Sequence, residues 1–140
     1  MLFDFFAFNP APTQELRQYG KYLLTRLDEA IHVPKVAVAS DDFTPTPNNC
    51  HLNCAQWALR NDGHKIALGW WVMDQRQMLG HVRFFAHSVM ADPDLQFYDI
   101  TPGKQLEQYG FLASNLKSDD YQRMEQALID AYGVSMLDAR

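Results

Sequence analysis

Apolar residues recur along "PTQELRQYGKYLLTRLDEAIH" at Leu16, Tyr19, Leu23, Leu27 and Ile31, three or four positions apart. That spacing predicts a helix, with Thr13 where a cap is needed and Pro34 to close the run. "KVAVAS" (35–40) predicts a short strand. "DDFTPTPNN" (41–49), dense in breakers, predicts a loop. In "NNCHLNCAQWALRNDG" (48–63), Ala55, Trp57 and Leu59 give a second helical pattern, capped by Asn48 or Asn49 and stopped by Gly63. "HKIALGWWVMD" and "LGHVRFFAHSVMA" read as strands joined by a loop around Asp74 to Gln77. "DPD" turns the chain, and "LQFYDIT" makes a third strand before Pro102 and Gly103. "SDDYQRMEQALIDAYG" predicts a last helix, capped by Ser118 and stopped by Gly133. The pattern is α+β: a single domain over 1–140, with a small antiparallel meander between N- and C-terminal helices.

Composition narrows the function. With 47% hydrophobic residues, 13% of all residues being aromatic, a chain of 140 residues can bury a core without staples. The net charge is −5 and no basic cluster occurs, which argues against nucleic acid and anionic membranes as partners. The start, "MLFDFFAFNPAP", is apolar but has no basic n-region and carries Asp4. It reads as a packing segment that offers a contact to a partner, and not as a signal peptide or a membrane span. Both cysteines, Cys50 and Cys54, fall on one predicted helix four residues apart, a poor geometry for a disulfide. Reduced thiols in the cytoplasm are the expectation.

Cys50 falls in the first turn of its helix, where free N–H groups and the dipole favour a thiolate and could hold a developing oxyanion. Cys54, one turn on, is expected to pack as a small apolar residue. A thiolate enzyme needs a base, and His87 lies within the apolar strand "FFAHSVM". If "DPD" is a three-residue hairpin loop, His87 sits directly opposite Asp99, with Cβ atoms about 4.5–5.5 Å apart. A loop of even length would turn Asp99 to the other face. His51, about 100° around the helix from Cys50, is expected at the rim. His81, six strand residues or roughly 20 Å from His87, is expected outside the site. The adjacent Trp70 and Trp71 suit a core or a groove wall. Asp41 and Asp42 read as solvated loop charges.

The order Cys50, His87, Asp99 resembles the papain-like and transglutaminase-like superfamily, including its arylamine N-acetyltransferase and NlpC/P60-type branches. The likeness covers roughly residues 45–103. It implies a nucleophile helix packed on a small antiparallel sheet, with Cys50 as nucleophile, His87 as proton shuttle and Asp99 as orienter. The spacings of 37 and 12 residues are similar to the compact transglutaminase-like arrangement. The chain lacks a "CGSCW" run and a glutamine shortly before Cys50, leaving Asn48 or Asn49 as local oxyanion donors. The function implied is a thiol-dependent hydrolase or acyl transferase acting on a peptide or protein side-chain amide: peptidase, glutamine deamidase or transglutaminase-like. No cofactor and no metal are called for. Two other readings compete: a structural zinc site using Cys50, Cys54, His87 and another histidine, and a non-enzymatic binding module with buried thiols and exposed tryptophans.

Overall fold

The computed structural model describes residues 3–103 and 109–140. It is α+β, with four antiparallel pairings in one sheet and helices around it. Helix α1 (Gln14–Leu24) starts where the Thr13 hydroxyl accepts from Leu16 N–H at 3.1 Å, and its stripe of Leu16, Tyr19 and Leu23 is buried. It is shorter than the apolar spacing predicts. The Thr25 hydroxyl donates back to the Tyr22 carbonyl, and the chain then turns through a single 3-10 turn at Leu27–Glu29. Ile31 is therefore not on the helix; it bridges to Phe111.

Helix α2 (Cys50–Arg60) leads into β1 (Lys65–Gln75), a four-residue helical turn α3 (Arg76–Leu79), and β2 (His81–Ala91). β1 and β2 form a long hairpin, and β3 (Phe97–Tyr98), β4 (Gly110–Ala113) and β5 (Met136–Ala139) add to its edges. Helix α4 (Ser118–Tyr132) precedes β5, with Lys117 at its cap position, Ser118 as its first helical residue, and Gly133 ending it at φ 77°. β4 and β5 extend the sheet beyond the expected three-stranded meander. "KVAVAS" is not a strand: Lys35 and Ser40 make only isolated bridges, the first of them parallel to Asp99.

One sheet face carries Trp70, Phe84, Leu112 and Leu137 and is covered by α1 and α4. The other carries Trp71, Val89 and Phe111 and is crossed by the segment containing Val33. Trp70 and Trp71 are both buried, so neither is the exposed interface tryptophan that a binding module would need. Phe5 and Phe6 of the apolar start are exposed, while Phe3 packs on the core. Among the described residues no helix is long and apolar enough to cross a membrane.

One topological detail positions the thiol of Cys50. β5 pairs with β2 at Val82–Phe85 and β3 pairs with it at Met90 and Ala91, both along the edge that β1 leaves free. On that edge residues 86–89 pair with no strand among the described residues, Ala86 N–H reaching only the Ser135 carbonyl at 2.9 Å, and the start of α2 packs at this notch.

Candidate active site

Because side chains alternate across a strand, consecutive residues at the notch serve opposite faces. His87 points to the Trp71 side and Ser88 to the α1/α4 side. The first turn of α2 meets both, and it is seated by Asn53. That buried side chain accepts from Thr46 N–H at 3.0 Å and donates to the Thr46 carbonyl and the Thr101 hydroxyl at 2.8 and 3.0 Å. Asn49 occupies the cap position, but its side chain donates to the Thr46 hydroxyl and makes no capping bond. Asn48 takes a left-handed φ of 59° just before it. The first N–H groups of α2 are thereby left for the cavity.

Cys50, His87 and Asp99 come together at this place. The His87 Nε2 lies 3.2 Å from Asp99 Oδ2. Trp71 holds the imidazole from below, with ring centroids 4.7 Å apart at 31°. Asp99 is almost wholly buried, yet fully engaged. Its Oδ1 accepts from Thr101 N–H at 3.1 Å, and its Oδ2 lies 3.4 Å from Lys35 Nζ. The expected register is corrected. The loop runs over five residues, 92–96, so Met90 faces Tyr98 and Ala91 faces Phe97. The Asp92 carboxylate builds the longer loop by accepting from Asp94 and Gln96 N–H, while Leu95 takes a φ of 63°. Asp99 is then displaced by two residues from the position opposite His87. A shift of two preserves the face, so the pair meets diagonally. β3 itself ends at Tyr98, far short of the expected seven-residue strand, and Asp99 is held instead by backbone bonds to Pro34 and Val36.

Electrostatics at the thiol are shaped by two imidazoles. Burial would raise the Cys50 pKa, but His51 and His87 overcome it and bring the thiol down to about 5. No hydrogen bond closes between Cys50 and His87 in this geometry, whereas the Cys50 Sγ to His51 Nδ1 contact is 3.8 Å. Burial would also lower the His87 pKa, yet Asp99 and Cys50 together raise it. Asp99 is lowered against its burial, chiefly by His87. Cys54 goes the other way: packed with Met90 and Ile100, its thiol is pushed up to about 12 by burial.

His51 lines the cavity and is engaged more closely than its angular position predicts. Its Nδ1 lies 2.8 Å from Ser88 Oγ and its Nε2 lies 2.9 Å from Glu125 Oε2. The hydrogen bonds with Cys50 and then Glu125 raise its pKa to about 10. His81 does lie apart, buried near Arg83 and Asp138. Asp42 is exposed and paired with Arg60.

The thiol and both imidazoles open on a cavity of about 640 Å³, whose far walls include Phe85, Ile129 and Val134. Such a volume suits a small ligand or an extended side chain. Among the described residues no three of His, Cys, Asp and Glu are gathered as metal ligands. Comparison with family models, with curated proteins and with solved structures finds no match.

Proposed function

We propose that the protein is a thiol-dependent hydrolase or acyl transferase acting on an amide bond, with a papain-like or transglutaminase-like core. Cys50 is the nucleophile, His87 the general acid and base, and Asp99 the orienting carboxylate. One observation carries this reading: the His87 Nε2 is occupied by a buried carboxylate, which leaves Nδ1 for a thiol on the N-terminus of α2.

The Cys50 thiolate attacks the amide carbonyl carbon, and the carbonyl electrons move to oxygen. The free N–H groups at the start of α2 stabilise that oxyanion. As the intermediate collapses, the C–N bond breaks and the departing amine takes a proton from the His87 imidazolium, leaving a thioester on Cys50. His87, now neutral, removes a proton from water as its oxygen attacks the thioester. The acid departs and the thiolate returns beside an imidazolium. An amine in place of water makes the same cycle a transfer. The open cavity and its mixed apolar and polar walls support a peptide or side-chain amide as acyl donor.

4-Nitrophenyl acetate tests the scheme without knowledge of the natural substrate. Wild-type protein should show a burst, an acetyl group on Cys50 by peptide mapping, and continuing turnover. Cys50→Ala should show none of these. His87→Ala should still accept the acetyl group but turn over at least about 100-fold more slowly, the span of general acid–base catalysis. Acylation confined to other residues, or turnover indifferent to His87, would overturn the proposal.

A further inference from the structure

We propose that His51, clamped between Glu125 and Ser88, is a second positioning imidazolium that keeps Cys50 ionised, so that the thiolate does not depend on His87 alone. The assignment deepens the hydrolase reading and rests on Cys50 being its nucleophile.

The notch in the sheet edge is the structural reason. Cys50 receives one His–carboxylate couple from each side of the sheet: His87 with Asp99 on the Trp71 side, and His51 with Glu125 on the side covered by α4. The two couples differ in how their nitrogens are used. The His87 ring is bound only at Nε2 among the described residues. His51 is engaged at both ends: Nε2 faces the Glu125 carboxylate and so carries a proton, while Nδ1 lies between the Ser88 hydroxyl and the thiol. A proton shared between the Cys50 sulfur and His51 Nδ1 is drawn to nitrogen, because the resulting imidazolium has a carboxylate 2.9 Å away. A ring held at both nitrogens is a poor shuttle, since it cannot leave either partner to follow a departing amine. It is well placed as a fixed charge.

The other groups around the thiol agree with this division. From α4, Tyr121 meets the His51 ring edge-on at 6.1 Å, and burial raises its pKa, so it stays neutral. From the opposite side come His87, Asp99 and Lys35, the last two paired with each other. Cys54, one turn along α2, is held neutral by burial. Among the described residues Glu125 is thus the carboxylate against His51 and Asp99 the carboxylate against His87. With the thiol proton drawn to His51, the proton on His87 is held for the leaving amine and not shared with the sulfur before attack.

The test is the pH dependence of Cys50 alkylation by iodoacetamide, run alongside ester turnover on the intact protein. His51→Ala should raise the half-point of alkylation by about two pH units, and Glu125→Gln by about one, in the range expected for loss of a neighbouring charge. His87→Ala should raise it less than His51→Ala does. Turnover separates the roles further: His51→Ala should recover at pH 9, where the thiol ionises unaided, and His87→Ala should not. A larger rise in His87→Ala than in His51→Ala overturns the assignment, as does a half-point unmoved in both His51→Ala and Glu125→Gln. Should His51→Ala fail to fold, Glu125→Gln alone decides, by its half-point and its recovery at pH 9. If wild type gives no turnover while its half-point follows His51, the hydrolase reading falls and this one stands. Turnover with a half-point that ignores His51 gives the reverse.

Discussion

Cys50 and Cys54 sit one helical turn apart and shift in opposite senses, because one meets two imidazoles and the other is buried in an apolar cluster with Met90 and Ile100. The sign follows from which form is reactive. Alkylation needs thiolate, so labelling of Cys50 should fall only as pH drops through about 5 and stay on a plateau above it, whereas Cys54 should resist label up to about 12 in the folded protein. Cys54→Ala should keep activity and cost about 1 kcal/mol in urea denaturation, the loss of one buried atom's contacts. Asp99→Asn keeps a hydrogen-bonding shape opposite His87 but removes the charge that supports its imidazolium. Turnover should fall about 10- to 1,000-fold, measured as kcat/KM on the ester, while alkylation at neutral pH persists. At this scale Cys50, His87 and Asp99 could be singled out from residue type and neighbourhood. His51 could not. A helical wheel gives the angle between Cβ atoms, and an imidazole is long enough to reach back across it. Its partners, Ser88 and Glu125, come from β2 and α4, whose placement against α2 no local pattern encodes. Asn53 escaped for the same reason: its partners Thr46 and Thr101 lie 7 and 48 residues away.

Among the elements, the β1–β2 hairpin does the positioning, and Gly69 is where its tolerance is least. Gly69 pairs with His87 in β2 and with Ala113 in β4, and a Cβ there would collide with the Leu112 carbonyl and the Phe111 ring. The Phe111 ring meets the His87 imidazole edge-on at 6.4 Å. Gly69→Ala should therefore destabilise the fold by about 1–3 kcal/mol through overpacking. It should also lower ester turnover of the folded fraction by tilting His87, whereas the exposed Gly80→Ala, away from the site, should leave turnover unchanged. Urea denaturation and kcat on the same samples separate the two effects. The long strands and the three long helices were legible because their periodicity runs over ten or more residues. The hairpin loop was legible in parity but not in length, since Asp92 can serve a three- or a five-residue turn. β4 and β5 have four residues each, too few for alternation to register, and β5 buries a charged residue, Asp138, that a pattern assigns to the surface.

For the molecule as a whole, β2 is the member on which residues 4–9 and β5 converge, at the end remote from the thiol. Arg83 lies in the core and binds Asp138 of β5 through two parallel bonds, Nε to Oδ1 at 2.7 Å and a terminal nitrogen to Oδ2 at 3.0 Å. The same guanidinium donates to the carbonyls of Phe5 and Ala7, and Asn9 N–H donates to Asp138 at 2.9 Å, so one ion pair ties residues 5–9 to β5. A planar fork engaged at this many acceptors has its buried charge compensated, and that compensation rests on its carboxylate. Asp138→Ala strands the guanidinium and should cost about 3–5 kcal/mol in urea denaturation. Replacing both partners, Arg83→Met with Asp138→Leu, removes the stranded charge and should recover much of that loss, even though the carbonyls of Phe5 and Ala7 lose their donor. His87 lies four residues along β2 from Arg83, roughly 13 Å at strand rise, with the β1 ladder continuous between them. The alkylation half-point of Cys50 in the folded fraction should consequently stay near that of wild type in both variants. A half-point that climbs with the loss of stability would mean that the notch at residues 86–89 is held open by residues 5–9 and β5, and not by the β1–β2 hairpin alone.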